Sequence, residues 1–321
     1  MLALNHHRRL LNDLTGIKVL FVCSGNSEAG INPIVRSQGE SLKRNGIDLD
    51  YFTIVGKGTN GYLKNIPRLR KFLRTKNYDL IHAHYSLSSL VTSLSCKLPM
   101  VVSLMGSDTH VGFFWKSIIK VFYKFRWESA IVKSTRMKKS ISLNNAIVIP
   151  NGVNFGLFKP IDKNIAKMKV SFNDKRCHII FVANPERYEK NYLLAKKAVE
   201  LTDNNNVELN TVSNLDQKII PYYMNAADIL LFTSLWEGSP NVIKEAMACN
   251  CPIVSTDVGD VREVISNTEG CYICSYDPAD VAEKIKMALD FGTRTNGREN
   301  IKYLEINIIA KRIINVYKGV I

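Results

Sequence analysis

The chain has no hydrophobic run near the roughly 20 residues a membrane-crossing helix needs, although 46% of its 321 residues are hydrophobic. That pattern argues against a helical membrane span and leaves enough apolar material for two medium domains. The start, "MLALNHHRRLLNDLTG", lacks the continuous apolar stretch of a secretory leader. The expected location is cytoplasmic, as a peripheral protein on the inner face of the membrane. Acids are scarce in the first half: residues 1–150 carry 22 Lys and Arg against 8 Asp and Glu, whereas residues 151–321 carry 21 of each. The whole net charge of +14 therefore sits in the first half, which implies an anionic partner such as nucleic acid, a membrane surface or an anionic substrate. Cysteine is sparse and odd in number, at seven, so reduced thiols are the default. Cys249 and Cys251, then Cys271 and Cys274, have spacings that zinc can use, but they border apolar runs and read as small buried hydrophobes.

What is present is a repeated alternation. "IKVLFVCSG" (17–25), "DLIHAHY" (79–85), "MVVSLMGSD" (100–108), "SAIVKS" (129–134) and "AIVIPNG" (146–152) read as buried strands, with helix-like segments such as 33–45 and 63–76 between them. The pattern restarts with "CHIIFVAN" (177–184), "VELNTVS" (207–213), "ADILLFTS" (227–234), "PIVSTDVG" (252–259) and "CYICS" (271–275). Helical stretches are expected at 191–202, 217–226, 240–249, 278–290 and roughly 298–318. Continuous apolar strands separated by helices indicate parallel sheets covered on both faces. "IPNGVNFGLFKP" (149–160) reads as a linker. The expected fold is α/β, with two doubly wound Rossmann-like domains, 1–150 and 151–321, facing a central cleft. A crossing of the last helix back to the first domain is part of this expectation. Ligands of open parallel sheets bind beyond the carboxyl ends of the strands, which directs attention to that cleft.

One strand-end loop is distinctive. In "LWEGSPNVIKEAMACNCPIV" (235–254), Glu237 and Glu245 flank what looks like a helix start. Ser239 is suited to cap that helix and Pro240 to open it. The free backbone N–H groups near Asn241 and Val242 would attract a phosphate. A carboxylate accepts hydrogen bonds from vicinal hydroxyls. Two acids around a phosphate site thus fit a sugar and a ribose, while solvated acids on an ordinary strand-loop-helix fit the same residues.

The stretch "EGSPNVIKEAMACNCPIVSTDVGDVREVI" resembles the E-x7-E signature of retaining glycosyltransferases with the GT-B fold, family 4. The resemblance covers most of the chain. It implies that Glu237 contacts the donor sugar, that Glu245 contacts the nucleotide ribose, and that the Ser239–Val242 backbone approaches the diphosphate. "FVANPERYEKN" (181–191) is similar to the family segment that brings an Arg and a Lys to the diphosphate, here Arg187 and Lys190. Two fixed cations can neutralise a departing diphosphate, the role a divalent metal plays in other transferases. No D-x-D metal site and no cofactor are expected, the nucleotide-sugar being a substrate.

In the first half, "GNSEAGINPIV" (25–35) looks like the family's first strand-to-helix loop, with Gly30 as the glycine near the donor. "IHAHYS" and "VVSLMGSD" look like two further strand ends, making His84, Met105 and Asp108 acceptor-side candidates. Many relatives carry His where this chain has Met105. A hydrogen-bonded structural role is the plainer account of His84, and a helix cap that of Asp108.

The resemblance implies sugar transfer with retention, in polysaccharide or glycolipid synthesis. A nucleotide-sugar epimerase or sugar phosphorylase of the same fold, or a basic binding module, are the alternatives. The module reading lacks any recognised RNA or DNA motif, and no nucleic-acid partner is expected. "VGFFWKSIIKVFYKFRW" (111–127) holds seven aromatic and four basic residues and no acid, and "KNIPRLRKFLRTK" (64–76) adds six basic residues. An aromatic, basic helix suits an anionic membrane interface, with Lys116, Lys120 and Lys124 on one face and Trp115 and Trp127 at headgroup level. The expected acceptor is lipid-linked or membrane-proximal. An ordinary packed helix with solvated lysines competes with this account.

Overall fold

The computed structural model describes residues 16–27, 30–109, 112–173 and 175–321. The segment read as lacking a leader lies almost wholly outside them. The chain divides into two compact units, 1–149 with 307–321, and 150–306.

In the first unit, six parallel strands run β1 (Lys18–Ser24), β2 (Asp48–Ile54), β3 (Leu80–His84), β4 (Met100–Ser103), β5 (Ser129–Val132) and β6 (Ile147–Val148), in the spatial order β2-β1-β3-β4-β5-β6. Val19 to Val22 and the whole of β3 and β4 are buried. Helices cover both faces, so neither face of a central strand needs polar residues. The strand at 48–54 was not anticipated. It is an edge strand, and "DLDYFTI" alternates instead of running apolar. The expected helix at 63–76 is two helices, Gly58–Leu63 and Ile66–Leu73. They part at buried Asn65, whose amide donates to the Val55 and Gly61 carbonyls, both at 2.9 Å.

The Ile306–Lys318 helix starts at the boundary, and its length from Asn307 packs with the first unit. Tyr317 is fully buried, its hydroxyl 2.5 Å from His82 Nδ1 on β3. Asn45 donates to Asn307 Oδ1 at 3.3 Å, and Arg312 to the Val148 carbonyl at 2.8 Å.

The second unit holds β7 (Cys177–Phe181), β8 (Val207–Thr211), β9 (Ile229–Phe232), β10 (Ile253–Thr256) and β11 (Cys271–Cys274), all parallel, in the order β11-β10-β9-β7-β8. Asp277 caps the Pro278–Phe291 helix by accepting from Ala279 N at 3.0 Å. The linker-like segment is fastened by a bridge between Val153 and Glu305. Cys249, Cys251 and Cys274 are buried in the apolar interior. Among the described residues no helix is long and apolar enough to cross a membrane.

Candidate active site

In a doubly wound sheet, the crevice opens where chain order reverses between neighbouring strands. In the second unit that point lies between β7 and β9, and the two loops leaving these strands carry the expected donor residues. They are stitched together. Thr233 Oγ1 donates to the Lys190 carbonyl at 3.1 Å and to that of Asn191 at 3.0 Å. Leu235 N donates to the Glu189 carbonyl at 2.8 Å. Lys190 ends the Tyr188–Lys190 3-10 turn, and Asn191 reverses the chain at φ +51°. This arrangement brings Lys190 Nζ onto Glu237 Oε1 in a direct ion pair. Ser234 Oγ donates to the same carboxylate oxygen at 3.4 Å, and Phe232 lies beneath the ammonium at 5.7 Å.

The structure thus joins Lys190 and Glu237. Arg187 stands apart, with its side chain 59% exposed and paired to Glu189.

The helix after Glu237 runs Asn241–Ala248. Here two expectations are corrected. Pro240 is the residue before the helix rather than its first, and no side chain caps the helix. Ser239 does not serve as the cap because its hydroxyl is captured elsewhere: it donates to Asp260 Oδ2 at 2.6 Å and accepts from Lys244 Nζ. The first-turn N–H groups at Asn241 and Val242 therefore lack a side-chain acceptor, the arrangement that binds anions at a helix start. Asn241 Oδ1 is also buried without a partner.

Glu245 follows within the helix. Burial pushes its carboxyl up to about 7, against the opposing effects of a Gln217 hydrogen bond and the Lys244 charge.

Lys244 and Asp260 were missed from the sequence. Lys244 is completely buried, 3.4 Å from Asp260 Oδ2, and burial lowers its amine although Asp260 opposes this. The signal was the helical period: Lys244 shares a face with Met247 and Ala248, both fully buried. The turn that carries Asp260 presses on the Glu237 loop. A Cβ on Gly259, at φ +60°, would meet the Gly238 carbonyl oxygen at 2.9 Å.

The remaining candidates lie in the first unit, where chain order reverses between β1 and β3. Gly30, at φ +72° with open space at its Cβ position, closes a tight turn with Ser27. His84 ends β3 and is buried, and neither ring nitrogen has a partner. The expected hydrogen-bonded histidine is instead His82, which stacks on His84 at 4.4 Å and reaches Ser103 Oγ at 2.8 Å. Burial lowers both imidazoles well below 6.5.

Asp108 lies past the end of β4, fully buried, in the Gly106–Thr109 3-10 turn. It accepts from Met105 N at 2.7 Å and from Ser86 N at 3.2 Å, so it caps the Ser86–Ser95 helix from a distance. Burial raises its carboxyl to about 6 against those hydrogen bonds. Met105 is half-buried.

The chain does hold one D-x-D spacing, contrary to expectation: Asp48-Leu49-Asp50. It opens β2, away from the strand's carboxyl end, and Asp50 is held by Lys76 and Tyr78, both at 2.8 Å.

Two parallel-sheet α/β units of Rossmann type are the architecture of GT-B glycosyltransferases. The solved structure of Anabaena HepE in complex with UDP shares this fold, with a TM-score of 0.75 and 16% identity over 94% of this chain and 100% of that one. The model of Glycosyltransferase Family 4 matches residues 8–156, and that of Glycosyl transferases group 1 matches residues 161–290. The chain is a glycosyltransferase of this group 1, family 4 type. It is 27% identical over 274 residues to an uncharacterized glycosyltransferase of Methanocaldococcus jannaschii, covering 70% of this chain and 74% of the relative. It is 26% identical over 307 residues to the Campylobacter jejuni N,N'-diacetylbacillosaminyl-diphospho-undecaprenol alpha-1,3-N-acetylgalactosaminyltransferase, covering 81% and 82%.

Proposed function

We propose that the protein transfers a sugar, with retention of configuration, from a nucleotide-diphosphate sugar to a hydroxyl of a lipid-linked acceptor. It would do so at the cytoplasmic face of a membrane in polysaccharide or glycolipid synthesis. The observation that carries this is the Lys190–Glu237 pair beside an uncapped helix start at the sheet's switch point. In this reading the diphosphate lies on the amides from Ser239 to Val242, with Lys190 and Arg187 neutralising charge as it leaves. Glu237 accepts from the sugar hydroxyls and Glu245 from the ribose. These fixed cations take the place of a divalent metal, so a chelator should leave the rate unchanged.

The names of relatives support the acceptor class: the Campylobacter protein's name specifies a diphospho-undecaprenol substrate. Support for the nucleotide comes from HepE, solved with UDP.

A thermal-shift screen with UDP, GDP and ADP should show stabilisation by one of them. Lys190→Ala and Glu245→Ala should each lower nucleotide-sugar turnover by at least about tenfold; full activity in both removes the site assignment. NMR of the product's anomeric configuration decides retention. Turnover without an acceptor points to an epimerase, and dependence on free phosphate to a phosphorylase.

A further inference from the structure

The Phe113–Phe125 helix packs on the first unit's core through Ile119, Phe122 and Tyr123. Ile119 is buried, and Trp127, just beyond the helix end, is buried with its indole Nε1 donating to Ser93 Oγ at 3.3 Å. Lys116 is half-buried and reaches the Ser140 carbonyl at 3.5 Å. These contacts correct the sequence expectation. Trp127 belongs to the core, and of the three lysines Lys116 is half-buried while Lys120 and Lys124 are exposed.

Beside the two exposed lysines, the solvent face carries an apolar strip. Phe114 is 72% exposed, Val121 54% and Phe125 69%. At about 100° per residue, positions 114, 118, 121 and 125 fall within an arc of roughly 60°. The half-buried Ile118 therefore completes a ridge. Exposed Lys124 falls about 60° beyond Val121 and exposed Lys120 about 100° beyond it, both on the side away from Ile118, and Lys124 Nζ lies 5.3 Å from the Phe125 ring.

We infer that this ridge docks the protein on an anionic lipid surface, its apolar side chains entering the interface and Lys120 and Lys124 meeting the headgroups. Exposed aromatic and aliphatic side chains in one line gain by leaving water. Cations at the edge of such a line reach the headgroup layer while their stems stay apolar. The charge argument selects the occupant. Residues 111–127 hold no acid, and the first half carries the entire +14 excess, so the complement is anionic. A second copy of the same ridge would bring like charges together. A nucleic acid calls for aromatic faces along a cationic groove, whereas this ridge is convex on a helix and half aliphatic.

The inference deepens the lipid-linked acceptor reading but is tested without any sugar. The protein is sedimented with phosphatidylcholine vesicles, with and without phosphatidylglycerol, and compared with F114S/F125S and K120E/K124E after matching their melting temperatures to the parent. Parent binding should require phosphatidylglycerol and weaken as salt is added. Each double variant should bind at least about tenfold more weakly. Equal binding to neutral and anionic vesicles, or unaltered binding by both variants, overturns the inference. So does a ridge-dependent dimer or a ridge-dependent shift of RNA in place of vesicle binding. Vesicle binding by a protein that transfers no sugar overturns the proposed function alone. Sugar transfer to a soluble acceptor without vesicle binding overturns the docking alone.

Discussion

The two units reverse their strand order at equivalent places, between β1 and β3 in one and between β7 and β9 in the other. The chemistry placed there differs. In the second unit the reversal is ionic: Lys190 meets Glu237, and Lys244 meets Asp260 beneath the same loop. In the first unit β3 carries two imidazoles stacked on each other, with Phe21 edge-on or tilted to them and buried Lys133 donating to the Ser103 hydroxyl that His82 also reaches. One topology therefore carries ion pairs in the strand-end loops of one unit and buried, stacked imidazoles beside a lysine in the other. The fold supplies the location, and side chains decide whether it becomes a site.

The comparison breaks most severely at Lys244. Lys244→Met leaves Asp260 buried and unpaired, which should cost about 3–5 kcal/mol in urea unfolding. K244M/D260L should recover most of that loss, since apolar replacement of a buried pair is close to neutral. If the single variant is as stable as the parent, the clamp under the loop contributes nothing. Glu237→Gln removes the charge that faces Lys190 without changing shape, and should lower kcat/KM about 10²-fold with little change in melting temperature.

A pH titration sharpens the picture at Glu245. Its carboxyl is raised to about 7 in the folded chain. Protonation therefore favours folding: the contribution is full below the ordinary value of 4.5 and is lost as pH rises through about 7. The ionised form is the better acceptor for ribose hydroxyls, so nucleotide affinity should rise about tenfold between pH 6 and pH 8, and E245Q should flatten that profile. The smallest effect is expected in the first unit. His84→Phe replaces a ring with two unpartnered nitrogens and should shift stability by less than about 1 kcal/mol, measured by denaturant melts.

How much of this was legible follows from what each residue must satisfy. Central strands such as β4 and β9 announce themselves because both faces are buried and the run stays largely apolar. The Ser86–Ser95 helix does not, because "SLSSLVTSLS" has no charged face. Its hydroxyls instead bond back along the helix, Thr92 to the Ser88 carbonyl at 2.9 Å and Ser93 to that of Ser89 at 2.7 Å. In the site, the E-x7-E spacing places both acids. The sequence could not show that Ser239 abandons the helix start, since its partner Asp260 is 21 positions away. Nor could periodicity tell which side of the aromatic helix faces inward. Trp127 and Phe125 read alike until Ser93 is placed beside the indole.

The Tyr317–His82 contact at 2.5 Å has a consequence for the order of events during synthesis. Residues 150–306 form one continuous stretch and hold all they need for their own core once residue 306 has emerged. The first sheet is translated earlier, yet its polar centre at His82 waits for the last helix of the chain. A chain released just short of Tyr317 would thus hold a finished second unit and an unfinished first one, with His82 bare of the hydroxyl that covers it in the full chain.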